Sequence, residues 1–100
     1  MSDKRKTTLR KAYDISDTIR ACNTLEAGAE IINKNFTPDE IKNYTEADKD
    51  NKDVRFEVNG VICFEFNGSS WYVYYIDEEG TFWNTAHYFV DEIHDAIFEV

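Results

Sequence analysis

No lysine or arginine follows Arg55 in this chain of 100 residues. Nine carboxylates do, at Glu57, Glu65, Asp77, Glu78, Glu79, Asp91, Glu92, Asp95 and Glu99, with only His87 and His94 to offset them. Other scarcities are as informative. There is one proline and there are four glycines, so neither a collagen-like nor a low-complexity chain is in question. Two cysteines, Cys22 and Cys63, sit far apart in no C-x-x-C or zinc spacing, which reads as two free thiols in a reducing compartment. The first twenty residues hold Lys4, Arg5, Lys6, Arg10 and Lys11 without an apolar run, so neither a signal peptide nor a membrane span is expected, and a cytoplasmic protein is. If the protein is viral, that means the host cytoplasm.

The recognised signatures of catalysis are missing as well. The chain has no G-x-S-x-G elbow, phosphate-binding glycine loop or dinucleotide fingerprint, and nothing selects one pair of its many carboxylates as acid and base. No enzyme and no cofactor are expected. His87, Asp91, His94 and Asp95 follow at helical spacing and could converge on one surface around a divalent metal. A solvated helix face is the favoured reading, because no second His or Cys cluster exists to complete a site. Asp91-Glu92-Ile93-His94 matches a helicase box in letters only, without the glycine loop that such chemistry needs.

What is present is a foldable core. Seven Phe, six Tyr and two Trp in 100 residues are enough to close one hydrophobic domain without staples. The pattern predicts an α+β fold: N-terminal helices, a four-stranded antiparallel β-meander and a C-terminal helix packed on the sheet. Residues 1–7 read as a polar basic tail. A first helix is expected from about Thr8 to Cys22, where Leu9, Ala12, Ile15, Ile19 and Cys22 recur at helical intervals. Asn23, Thr24 and Glu26 read as an N-cap followed by a capping-box acid and open a second through Leu25, Ala29, Ile31 and Ile32. Thr37-Pro38-Asp39-Glu40 has a cap hydroxyl, a proline and two acids facing the dipole, which predicts a third helix to about Ala47. The helical part is thus residues 8–47, and 48–53 reads as a solvated loop.

From Val54 the period becomes two. Asn59-Gly60 predicts a two-residue hairpin turn, Asn67-Gly68 and Asp77 to Gly80 predict the next reversals, and strands are expected at 54–58, 61–66, 71–76 and 81–83. Setting Val58 opposite Val61, and Phe66 opposite Trp71, makes both sheet faces apolar. Such a sheet needs helices on both sides, a partner, or a second copy of itself, so a homodimer is one way to complete it. A helix over 85–98, capped by Asn84 or Thr85, is expected to cover one face with the stripe Phe89, Val90, Ile93, Ala96 and Ile97.

The charge division carries the functional expectation. Residues 1–20 hold six cations and three anions, whereas 21–100 hold five and seventeen, so the cations of the first helix face a strongly acidic remainder that would repel a phosphate backbone. Direct nucleic-acid and membrane binding are not expected. A carboxylate-rich surface can serve solubility alone, but it also accelerates association with basic surfaces. The expected partner is therefore a basic protein, such as a nucleic-acid-processing enzyme. Glu57, Glu65, Asp77, Glu78, Glu79, Asp91, Glu92 and Asp95 would meet it, with Trp71 and Tyr72 as aromatic anchors. In size and charge, though in no motif, the chain resembles the phage-encoded acidic proteins that block restriction, CRISPR or other nucleic-acid machinery, which implies an anti-defence or DNA-mimic inhibitor. An immunity protein or antitoxin that neutralises a cationic nuclease needs the same complementarity. A metal- or small-molecule-binding protein using His87 and His94 is the alternative of a different kind.

Overall fold

The computed structural model describes residues 3–47 and 52–88. Two helices, α1 (Asp3–Arg20) and α2 (Leu25–Asn35), precede a single 3₁₀ turn (Pro38–Glu40) and five strands: β1 (Ile41–Ala47), β2 (Lys52–Val58), β3 (Ile62–Phe66), β4 (Trp71–Ile76) and β5 (Phe82–Asn84). A helical turn, α3 (Thr85–Tyr88), follows. The strands form one antiparallel sheet in chain order. Among the described residues no helix is long and apolar enough to cross a membrane.

α1 begins at Asp3, so residues 3–7 belong to the helix and not to a tail. Arg5 shows why they are ordered: one Nη donates to the Ile76 carbonyl at 2.6 Å and to the Tyr75 hydroxyl at 3.0 Å, tying the first turn to the end of β4. Leu9, Ala12, Ser16 and Ile19 line the buried side of α1 at spacings of three and four. The Thr8 and Ser16 hydroxyls on that side bond back to the Lys4 and Ala12 carbonyls, so burying them leaves no orphan donor. α2 starts as expected, with the Thr24 hydroxyl accepting the Ala27 N–H.

The expected third helix is a strand. Thr37 and Glu40 do form a capping box, in which the Glu40 carboxylate accepts the Thr37 N–H at 2.9 Å, but it caps one 3₁₀ turn only. Asn59 then diverts the chain. Its N–H donates to the Glu40 carbonyl and its side-chain amide to the Glu40 carboxylate, both at 2.9 Å, which clamps the start of β1 beside the β2–β3 turn. Ile41 to Ala47 pairs with β2 over seven residues, and these ladder bonds outweigh a cap signal backed by the weak helix formers Asn43, Tyr44 and Thr45. The sheet thus has five strands where four were expected. Of the expected helix over 85–98, Thr85 to Tyr88 form α3, and the remainder lies outside the described residues.

Register decides which residues share a face. The β3–β4 pairs are those the turn predicts, Phe66 with Trp71, Phe64 with Val73 and Ile62 with Tyr75. β2 differs by one residue. Asn59 and Gly60 both adopt positive φ and Val61 donates to the Val58 carbonyl, yet Val58 pairs with Ile62. The Val61 carbonyl instead accepts the Ile76 N–H at 2.7 Å, which draws Val61 out of the β2 ladder as a bulge. A slip of one residue turns every β2 side chain over. Val54, Phe56 and Val58 therefore join Ile62, Phe64, Phe66, Trp71 and Val73 on one apolar face, against which Leu9, Ala12, Ile19, Ile32 and Phe36 pack as the core. β5 is displaced likewise, with Trp83 opposite Tyr75 and Phe82 opposite Ile76. The second face, expected to be apolar, is polar and aromatic.

Trp71 fixes the approach of α2. Its indole N–H donates to the Thr24 carbonyl at 2.9 Å, and its ring lies against Phe56 and Phe66 with centroids 5.8 and 5.3 Å away. Gly28 of α2 sits over the indole, where an added Cβ would overlap the ring. Here glycine answers a close approach and not a turn.

Candidate partner-binding face

The face turned away from α1 and α2 is built by strand alternation. Lys42, Tyr44 and Glu46 of β1 stand beside Asp53, Arg55 and Glu57 of β2, then Cys63 and Glu65 of β3, Tyr72, Tyr74 and Ile76 of β4, and Phe82 of β5. Four carboxylates thus surround two cations on one sheet surface.

Arg55 is the centre of this arrangement. Its Nε donates to Glu65 at 2.7 Å, and its guanidinium lies 3.7 Å from Glu46 and 5.8 Å from the Phe82 ring centroid. The Glu65 side chain is 8% exposed and that of Arg55 27%, so the pair is largely shielded from water. Burial by itself would lower the Arg55 pKa, but the hydrogen bonds with Glu65 and Tyr44 outweigh it and hold the guanidinium above its ordinary value. Tyr44 donates to Glu57 at 2.7 Å, and burial, with that bond, pushes its pKa up to about 12. Burial also raises Tyr74, reinforced by the Glu65 charge. Cys63 is fully buried beneath these groups, and burial lifts its thiol to about 12, so the neutral form persists well above neutral pH. A thiol held in its neutral form in this way is not an activated nucleophile. The cluster is a hydrogen-bonded platform in which Arg55 offsets part of the carboxylate charge.

Around it stand groups that remain free to meet solvent. Tyr72 and Phe82 are 37% and 38% exposed. The Tyr72 and Tyr74 rings lie 6.5 Å apart and Tyr74 and Phe82 6.3 Å apart, giving a short aromatic row along the carboxylates. Lys42 sits over the Tyr44 ring at 5.2 Å.

The residues expected to meet a partner divide into groups. Glu57, Glu65 and Tyr72 fall on this face together. Asp77, Glu78 and Glu79 form the β4–β5 turn, where Asp77 is mainly structural. Its carboxylate accepts the Trp83 indole N–H at 2.9 Å, the Thr81 N–H at 2.8 Å and the Glu79 N–H at 2.9 Å, and these bonds, the Trp83 one foremost, lower its pKa. Glu78 and Glu79 are exposed at the tip. Trp71 belongs to the core, on the opposite face and 2% exposed. Asp91, Glu92, Asp95 and His94 lie outside the described residues, and of His87 the structure describes only its place in α3. Among the described residues no three His, Cys, Asp or Glu side chains are grouped to hold a metal. Lys42, Tyr44, Glu46, Asp53, Arg55, Tyr74 and Phe82 are among the members that the sequence did not single out. For the first three, the capping signal at Thr37 masked an alternation that places them on one side.

The basic groups of α1 lie on the other layer. Lys6, Arg10 and Lys11 line a shallow surface groove with Asp3, Thr7 and Asp14, separated from the carboxylate face by the thickness of the sheet. A second groove, of about 410 Å³, is lined by Tyr13, Asp14, Ser16, Asp17, Arg20, Thr85 and Ala86. Arg20 there bonds the buried Thr85 hydroxyl, which in turn donates to the Val73 carbonyl at 2.7 Å, so its one cation is engaged in joining α1 to α3. Comparison of the chain with protein-family models, with curated proteins and with solved structures finds no match in any of the three.

Proposed function

We propose that this protein is a small acidic inhibitor that docks its carboxylate and aromatic sheet face on a basic, nucleic-acid-binding protein. The observation that carries the reading is the composition of that face: Glu46, Asp53, Glu57 and Glu65 against Lys42 and Arg55, bordered by half-exposed Tyr72 and Phe82. Carboxylates attract and orient lysine- and arginine-rich surfaces, and flanking aromatic rings supply contacts of the kind that anchor interfaces. The segregation of α1's cations to the other layer supports an oriented encounter, since a basic partner is drawn to one side and repelled from the other. The internal pairing of Arg55 with Glu65 limits the free charge, so Glu57, Asp53, Glu78 and Glu79 are the groups assigned to the partner's cations.

The test is capture from bacterial lysate on the immobilised protein. Basic, nucleic-acid-processing proteins should be retained at about 50 mM salt and released near 0.5 M, as screening shortens the reach of charge. Glu57→Lys and Tyr72→Ala should each abolish most of the capture, while Lys6→Ala and Lys11→Ala on the opposite layer should leave it intact. Retention of no basic protein, or retention indifferent to Glu57 and Tyr72, would remove the proposal. A captured protein should also lose its grip on nucleic acid when the wild-type chain is added in equal amount.

A further inference from the structure

β1 is the end strand of the sheet, and among the described residues no strand pairs with its outer edge. The parity of its hydrogen bonds is set by the Asn59 N–H, which donates to the Glu40 carbonyl. With Ile41 opposite Val58, the backbone groups of Lys42, Tyr44 and Glu46 turn toward β2, and those of Ile41, Asn43, Thr45 and Ala47 turn outward. Seven residues without proline, glycine or bulge therefore present a regular row of donors and acceptors, the feature that invites another strand.

The sequence of that row is complementary to itself. Antiparallel pairing about a twofold axis at Tyr44 is the register that engages all seven residues, Ile41 through Ala47, on both copies. It places Asn43 opposite Thr45 and Ile41 opposite Ala47 at the positions where both backbones point outward, so each such pair exchanges two hydrogen bonds. Lys42 then falls opposite Glu46 twice over, and Tyr44 opposite Tyr44, at the non-hydrogen-bonded positions where side chains stand closest. Shifting the register by two residues in either direction shortens the ladder and separates Lys42 from Glu46. The one lysine that would otherwise guard this edge thus becomes an attractive contact.

We infer that the protein forms a homodimer through β1, paired antiparallel with β1 of a second copy in the Tyr44-centred register, to give a continuous ten-stranded sheet. This interface is isologous, as a twofold dimer requires. It also sets the two carboxylate faces side by side on the same surface, doubling the length of the region assigned above to a basic partner. The pairing itself does not depend on that assignment.

Sedimentation equilibrium of the full chain from about 10 µM to 1 mM tests the inference. The wild-type protein should approach twice the 11.7 kDa chain mass as concentration rises. Thr45→Pro removes an outward N–H and leaves the β2 ladder its donors, so it should hold the mass at one chain with an unchanged far-ultraviolet spectrum. Lys42→Glu and Glu46→Lys should each weaken self-association at least tenfold through like charges across the axis. Mixed together, the two single variants should restore a dimer containing one of each, because each repulsion becomes an attraction. A monomer throughout the range, a dimer untouched by Thr45→Pro, or a mixture that fails to associate would each overturn the inference. Because mass is read without any partner, these outcomes stand apart from the success or failure of lysate capture.

Discussion

Replacing Gly28 by alanine sets helix propensity against packing, and the structure decides the sign. In an exposed helix the change would stabilise by about 1 kcal/mol. Here the new methyl would overlap the Trp71 indole, with the Nε1 atom only 2.5 Å away, and the ring cannot swing aside without losing its 2.9 Å bond to Thr24 or its contacts with Phe56 and Phe66. Overpacking of this kind costs about 1–3 kcal/mol, and loss of the indole bond about 1 kcal/mol more. After the propensity gain is subtracted, Gly28→Ala should destabilise by about 1–3 kcal/mol, which for a domain of this size lowers the melting temperature by about 5–20 °C. Thermal and urea unfolding followed by far-ultraviolet circular dichroism measure it. Adding Trp71→Phe, which removes part of the obstructing ring, should make the double variant less unstable than the sum of the singles. A Gly28→Ala protein as stable as the wild type, or additive singles, would show that α2 does not rest on Trp71 as described.

Other outcomes follow from the polar face and the turns. Arg55→Ala leaves Glu65 shielded without its counterion and should lower stability by about 2–3 kcal/mol, the reduced end of the buried-pair range because Arg55 is partly exposed; Lys42→Ala should stay within about 0.5 kcal/mol in dilute, monomeric solution. A thiol reagent at pH 8 should label Cys22 readily and Cys63 only on unfolding, since Cys63 is fully buried with its pKa pushed up to about 12. Glu40 and Asp77 have folded pKa values below their ordinary 4.5 and 3.8, by hydrogen bonds from Asn59 and Trp83 respectively. Their contribution is therefore complete above the unfolded values and is lost as pH falls below about 4.5, toward the lower folded ones. Melting temperature followed from pH 6 to 2 should show this decline, and Glu40→Gln with Asp77→Asn should flatten it. On the alkaline side the sign reverses: Cys63 ionises in the unfolded chain above its ordinary 9.0 but not in the folded one until about 12, so stability should fall across that interval.

The sequence disclosed the parts of the molecule whose physics is local. The α1 stripe, the Thr24 cap and the β3–β4 register all rest on residues a few positions apart. What it concealed depends on distant partners. The capping box at Thr37 is real, yet whether it starts a helix or a single turn is settled by Asn59, which lies nineteen residues beyond Glu40 and captures its carbonyl and carboxylate. Asn59-Gly60 was legible as a turn, but the bulge at Val61 arises from the Ile76 N–H on β4, which no local pattern announces. That single displaced residue moves Arg55 and Glu57 beside Glu65 and turns an expected apolar face into a charged one. Arg5 is a smaller instance: a basic residue near the start of the chain reads as tail until Ile76 and Tyr75 are found within its reach.

The central claim, that this charged face is the docking surface, is tested most directly by carboxylate footprinting. The protein, alone and bound to a basic protein captured from lysate, is labelled with a carbodiimide and the extent of modification is read at each acid by mass spectrometry. Binding should protect Glu57, Asp53, Glu78 and Glu79 strongly while Asp14 and Asp17 on α1 are modified as before. Protection confined to the α1 layer, or equal modification of Glu57 in the free and bound protein, would contradict the account.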